Sequence, residues 1–152
     1  MFNLFAPHAT DAYKLGHRSQ YEQGTSLIYA NFTPRSMKHL AIPKEHTDGK
    51  LVWYGGYGAV KEIVELWQET FFEKPLGEII SKYVKRVPAF TGEEKPFVGH
   101  LEDLHAIGYL PMVFKELPEG SSLRPNIPTM TCYNTDPKAY WVTNYLETID
   151  SN

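Results

Sequence analysis

Asp11, Tyr13, Lys14 and His17 place a carboxylate, a flat phenol ring, an ammonium and an imidazole within one short stretch. Arg35 follows in a loop just after an extended run. An aromatic ring offers a stacking surface for a planar ligand. A guanidinium stays charged at any working pH and grips a phosphate through two parallel hydrogen bonds. The functional reading is a stacking ring beside a phosphate-holding cation. A solvated helix anchored by one tyrosine fits the same residues, and spacing alone leaves both readings open.

Other constellations are weaker. Among the six histidines, His100 and His105 stand five residues apart, which points them about 140° apart on a helix, wrong for a shared ion. His39 and His46 lie in a polar loop with no acidic ligand at useful spacing. No metal site is therefore expected. Tyr54-Gly55-Gly56-Tyr57-Gly58 sits where a strand turns into a helix, and helix N-termini bind anions. It matches neither GxGxxG nor a P-loop, so tight strand–helix packing is the preferred reading, with glycine admitting close backbone approach. HExxH, GxSxG and paired Cys/His arrangements are absent from the sequence.

Short elements must position these residues. Thr10-Asp11 suits the start of a helix reaching about Gln20, on which Tyr13 and His17 share a face. Ser26 to Phe32 reads as a strand stopped by Pro34, and Leu51 to Tyr54 as a short buried strand. Val60, Ile63, Val64, Trp67 and Phe71 mark the apolar face of the clearest helix. A second helix carries Ile79, Ile80, Tyr83 and Val84 and stops before Pro88; residues 90–99 read as loop. A short helix with Leu101, Leu104 and Ile107 ends at Gly108. Pro111 to Leu117 is a strand, and Ile127 to Tyr133, interrupted by Pro128, reads as an edge or bulged strand. Asp136-Pro137 opens a closing helix, roughly Lys138 to Ile149. This order points to an α+β fold, a small mixed or antiparallel sheet packed with several helices.

Composition narrows the class. The 152 residues favour a single domain spanning 1–152. Fifteen Lys+Arg against eighteen Asp+Glu give a net charge of −3, without the basic excess of a nucleic-acid binder. Aromatic residues make up 14% and charged residues 22%, too apolar for disorder and too polar for a membrane protein. The single cysteine, Cys132, excludes an internal disulfide framework and suits a reducing cytoplasm. Met1 to Pro7 lacks the basic start and apolar core of a signal peptide, and no run approaches the ~20 apolar residues of a membrane span. A cytoplasmic protein is expected.

The chemistry-bearing stretch also carries a resemblance. Ala9-Thr10-Asp11-Ala12-Tyr13-Lys14-Leu15-Gly16-His17 with Gln20-Tyr21 resembles the opening motif of the nicotinamide phosphoribosyltransferases. Tyr29-Ala30-Asn31-Phe32 with Arg35, Val52-Trp53-Tyr54-Gly55, Tyr109-Leu110-Pro111 and Leu117-Pro118-Glu119-Gly120 follow in order. Asn134-Thr135-Asp136-Pro137, Tyr140-Trp141, Thr143-Asn144 and Glu147-Thr148 complete the series; the middle, Phe72 to His100, carries no match.

The resemblance implies the N-terminal domain of a type II phosphoribosyltransferase. Such an enzyme joins the 1-position nitrogen of nicotinamide to the ribose of phosphoribosyl pyrophosphate, releases pyrophosphate with Mg²⁺ assistance, and forms nicotinamide mononucleotide for NAD salvage. It implies a homodimer with interfacial sites, in which Tyr13 stacks on nicotinamide, Arg35 binds phosphate and Asp11 is a candidate lining residue. The main catalytic acids of the family lie in a downstream α/β barrel that these residues do not include. No catalytic residue and no magnesium ligand is therefore assigned in this chain, and the isolated chain is expected to be inactive. A fragment, split subunit or natural truncation is expected, contributing half of an interfacial site. A non-enzymatic module docking on a full-length phosphoribosyltransferase or a barrel subunit is the alternative, and a nicotinate-using relative is a third reading. Leu123-Arg124-Pro125 departs from the family pattern, so that loop receives no site role. Trp141, Tyr145 and Ile149 are expected on a face left open for a barrel or dimer partner.

Overall fold

Ile63, Trp67 and Phe71 recur at helical spacing and all three side chains are buried, so the strongest periodic signal in the sequence becomes the centre of the core. The computed structural model describes residues 4–39 and 48–150. Its strands are β1 (Tyr29–Phe32), β2 (Leu51–Val52), β3 (Met112–Glu116), β4 (Ser122–Leu123) and β5 (Met130–Asn134). Its α-helices are α1 (Gly56–Trp67), α2 (Leu76–Arg86), α3 (Pro88–Thr91), α4 (Gly99–Ile107) and α5 (Val142–Asp150). Two 3-10 segments, Ala6–His8 and Ala12–Gln20, open the chain, and a third, Pro137–Ala139, leads towards α5. The fold is α+β, with a small antiparallel sheet.

The helices α1, α2, α4 and α5 close around Trp67, Phe71, Ile79, Leu101, Leu104, Trp141 and Leu146, every one of them buried. Each such aliphatic or phenyl side chain contributes about 1.5–3 kcal/mol when fully removed from water. A single π-helical turn, Gln68–Phe72, continues α1 and keeps Phe71 packed at a T-shaped 5.3 Å from Trp67. Val64 and Val84, expected on the apolar faces, are exposed instead. Val87 takes a buried place after the end of α2.

The sheet runs in the order β1-β5-β3, with both pairs antiparallel. Tyr29 faces Tyr133 and Phe32 faces Met130 on one side of β5, while Met112 faces Asn134 and Glu116 faces Met130 on the other. The strand containing Tyr133 is thus central, not an edge. Pro128 lies two residues before the ladder begins at Met130, so its missing N–H removes no sheet hydrogen bond. Asn134 ties the approach to β1: its Oδ1 accepts from Ile28 N at 2.8 Å, and its Nδ2 donates to the Ser26 and Asp136 carbonyls, each at 2.8 Å. α5 packs across β1 and β5.

Two further expectations are corrected. Trp141 is 1% and Tyr145 2% exposed, because Trp141 meets His100 on α4 edge-to-face at 4.6 Å and stands at a T-shaped 4.7 Å from Tyr145. They form core, not an open face; the side chain of Ile149 lies outside the described residues. Pro88, read as a stop, instead occupies the first turn of α3, where its missing N–H costs nothing. Gly108 at φ 82° caps α4 as expected; the Asp136 side chain accepts from Lys138 N at 2.8 Å, but it caps the 3-10 segment Pro137–Ala139, and the closing α-helix expected from about Lys138 starts only at Val142.

Candidate functional site

The opening motif folds as a nine-residue 3-10 segment, Ala12–Gln20, and not as an exposed α-helix. Such a run is long for this conformation, whose hydrogen-bond geometry is poorer than that of an α-helix, so contacts to the rest of the protein must hold it. Lys14 supplies one. Its side chain is only 4% exposed, and its ammonium lies 3.4 Å from an Asp11 carboxylate oxygen and 3.3 Å from one of Glu147 on α5. The Asp11 carboxylate makes no cap hydrogen bond to the segment it precedes. Tyr21 supplies another contact: its hydroxyl accepts from Asn144 Nδ2 on α5, and its ring meets Tyr140 edge-on at 5.5 Å. Burial raises the pKa of the Tyr21 phenol, keeping it neutral. Arg18 lays its guanidinium 4.0 Å from the centroid of Phe97, which stacks on His100 at 5.8 Å.

Tyr13 emerges from this anchored segment 64% exposed. Its ring lies 5.3 Å from that of His17, tilted by 59°, so the expected pair meets as a ring contact although the segment is not α-helical. The Lys14 ammonium stands 5.8 Å from the Tyr13 centroid. The motif therefore divides, with Tyr13 presented to solvent, Lys14 turned inward, and Asp11 joined to Lys14. Beside this clamp runs a shallow open groove whose lining includes Ala30, Phe32, Met130, Cys132 and Glu147.

Arg35 is exposed in the loop after β1. That loop is tethered by Asn126 N donating to Pro34 O at 2.7 Å and Thr129 N donating to Phe32 O at 2.9 Å. Among the described residues the Arg35 guanidinium has no ion-pair partner, and no direct contact joins it to Tyr13. Glu147 was missed as a site residue: it falls within a quoted motif, but nothing local in the sequence signals its pairing with Lys14.

The glycine junction is a packing feature. A side chain at Gly56 would collide with the Glu116 carboxylate and come within 2.6 Å of the Trp53 ring. Trp53 Nε1 donates to Glu116 at 3.1 Å, and Gly55 N donates to the Glu119 carboxylate at 3.0 Å. Two carboxylates thus occupy the start of α1, where an anion would have to sit. His105 Nε2 lies 2.9 Å from Lys74 O, and His100 is buried among rings. His39 is exposed, and His46 lies outside the described residues. Among the described residues no three His, Cys, Asp or Glu side chains gather as a metal site, and none of their helices is long and apolar enough to cross a membrane.

No protein-family model matches the chain. Over 149 residues it is 41% identical to the nicotinamide phosphoribosyltransferase of Acinetobacter baylyi, a match covering 97% of this chain and 29% of that protein. Over 141 residues it is 26% identical to the nicotinamide phosphoribosyltransferase of Xanthomonas campestris pv. campestris, covering 92% of this chain and 26% of that protein. The chain spans between a quarter and a third of the length of these curated relatives.

Proposed function

The chain is a relative of the nicotinamide phosphoribosyltransferases along nearly its whole length, and from that premise we propose that it supplies the base-stacking and phosphate-holding half of such an enzyme's active site. The reaction joins the 1-position nitrogen of nicotinamide to the ribose of phosphoribosyl pyrophosphate and releases pyrophosphate. Within it, Tyr13 stacks on the nicotinamide ring. Offset stacking adds about 0.5–1.5 kcal/mol beyond area burial and fixes the plane of the base. Arg35 receives phosphate, with its charge unspent on any carboxylate among the described residues. Asp11 acts through Lys14, holding the stretch that carries Tyr13.

The observation that carries this reading is the exposed Tyr13 ring on an anchored segment, within a chain 41% identical to a named nicotinamide phosphoribosyltransferase. The groove beside the clamp is too shallow to enclose a nucleotide by itself. The site is accordingly completed by a second copy of the chain or by a barrel, on this chain or on another subunit. Tyr54, Tyr57 and Tyr109, all more than half exposed, supply apolar surface for such association.

Saturation-transfer NMR on the purified chain tests the reading. Magnetisation should pass from protein to nicotinamide, vanish in Tyr13→Ala and survive in Arg35→Ala, with the opposite pattern for phosphoribosyl pyrophosphate. Nicotinamide binding that is unchanged in Tyr13→Ala would sink the base-stacking role. The isolated chain should form no nicotinamide mononucleotide; measurable turnover would refute the half-site.

A further inference from the structure

We propose that Lys14 is a positioning residue, whose buried ammonium sets the plane of the Tyr13 ring for a stacked nicotinamide. This deepens the base-stacking reading above and rests on it. A lysine side chain only 4% exposed is costly unless its charge is matched, and an apolar residue of similar size often serves stability as well or better. What the ion pairs add is geometry. They hold Lys14 from two directions, by Asp11 three residues earlier and by Glu147 on α5.

The backbone transmits that constraint to the next residue. A 3-10 segment has three residues per turn, so adjacent side chains diverge by about 120°. With Lys14 turned inward, Tyr13 falls on a different row of the segment and stands 64% exposed. An exposed tyrosine would otherwise sample several χ1 rotamers. Here two neighbours restrict it, the Lys14 ammonium 5.8 Å from its centroid and the His17 ring at 5.3 Å. The ring is thereby organised before any ligand arrives, and a preorganised platform loses less freedom on binding. Glu147 lines the groove as well as the clamp, so the same carboxylate links ring placement to the adjoining surface.

Aromatic NMR of the 152-residue chain tests the proposal. The wild type should show a Tyr13–His17 ring-to-ring Overhauser effect. Lys14→Met, which keeps the stem and removes the charge, should weaken it at least threefold while the Trp67 and Trp141 core resonances stay in place. Lys14→Arg should restore it. An undiminished effect in a folded Lys14→Met chain overturns the proposal. Should Lys14→Met fail to fold, Glu147→Gln decides: at least a twofold weakening supports the clamp, and no change overturns it. Nicotinamide titrated into the wild type should shift the Tyr13 ring resonances. If they do not move, the base-stacking reading fails, while the variant series still reports whether Lys14 sets the ring.

Discussion

Acidification should unfold this protein through His100, and the size of the effect follows from its surroundings. The imidazole is 6% exposed, edge-on to Trp141 at 4.6 Å and to Tyr83 at 5.6 Å, and stacked on Phe97. Its Nδ1 is buried without a hydrogen-bond partner among the described residues. Burial, reinforced by the Arg18 charge and opposed by Asp103, lowers its pKa from 6.5 to about 3. The unfolded chain therefore takes up this proton at a higher pH than the native one. The stability involved is fully present above about pH 6.5 and is lost progressively as pH falls towards 3. Each unit in that window costs about 1.4 kcal/mol, so His100 alone removes about 2 kcal/mol by pH 5. His8, lowered to about 4 by burial and by the charges of Arg86 and Lys82, adds a loss of the same sign; its partial exposure makes that loss smaller. The assay is urea unfolding at a series of pH values for the wild type and for His100→Phe, which keeps an aromatic ring without a titrating group. The variant should lose about 2 kcal/mol less between pH 7 and 5. Equal losses in the two proteins would refute the assignment.

Three other outcomes follow from the same structure. Asn134→Ala strands the Ile28 N–H and two carbonyls that the amide now satisfies, and should cost about 2–3 kcal/mol in chemical denaturation. Gly56→Ala drives a methyl group into the Glu116 carboxylate and Trp53 ring, and should cost about 1–3 kcal/mol, visible as a lower Tm. Arg35→Gln removes an exposed charge that holds no ion pair among the described residues, so stability should change by less than about 0.5 kcal/mol, while binding of inorganic pyrophosphate weakens in calorimetry.

What was legible in the sequence was local. The four-residue spacing of Ile63, Trp67 and Phe71 marked the helix that carries them, because one face had to leave water whatever packed against it; that its last turn is π-helical was not legible. Asp136 and Gly108 were readable as caps because their jobs involve only neighbouring backbone groups. The Tyr13–His17 pair was expected from their four-residue spacing and is observed as a ring contact, although on a 3-10 segment and not the α-helix that the spacing assumed. What sequence reasoning missed depended on distant partners. Lys14 looked solvated until Glu147, on another element, arrived beside it. Trp141 and Tyr145 looked like an open face because Trp141 is covered by His100 on α4, a distant partner, and in turn packs on Tyr145. The central place of β5 was hidden by Pro128, a residue that interrupts the sequence pattern but lies outside the ladder.

The chain closes on itself in a way that dictates when the Tyr13 platform can exist. β1 pairs with β5, Thr143 Oγ1 donates to Ile28 O at 3.3 Å, Asn144 binds Tyr21, and Glu147 holds Lys14. Every one of these contacts joins early residues to late ones, and such long-range closure is slow to form. During synthesis the opening motif must wait, without its clamp, until α5 has emerged from the ribosome. Residues translated before the rest of this domain are among the last of it to reach their working geometry, and a ribosome stalled before Glu147 would leave Tyr13 on a segment without its Lys14 clamp.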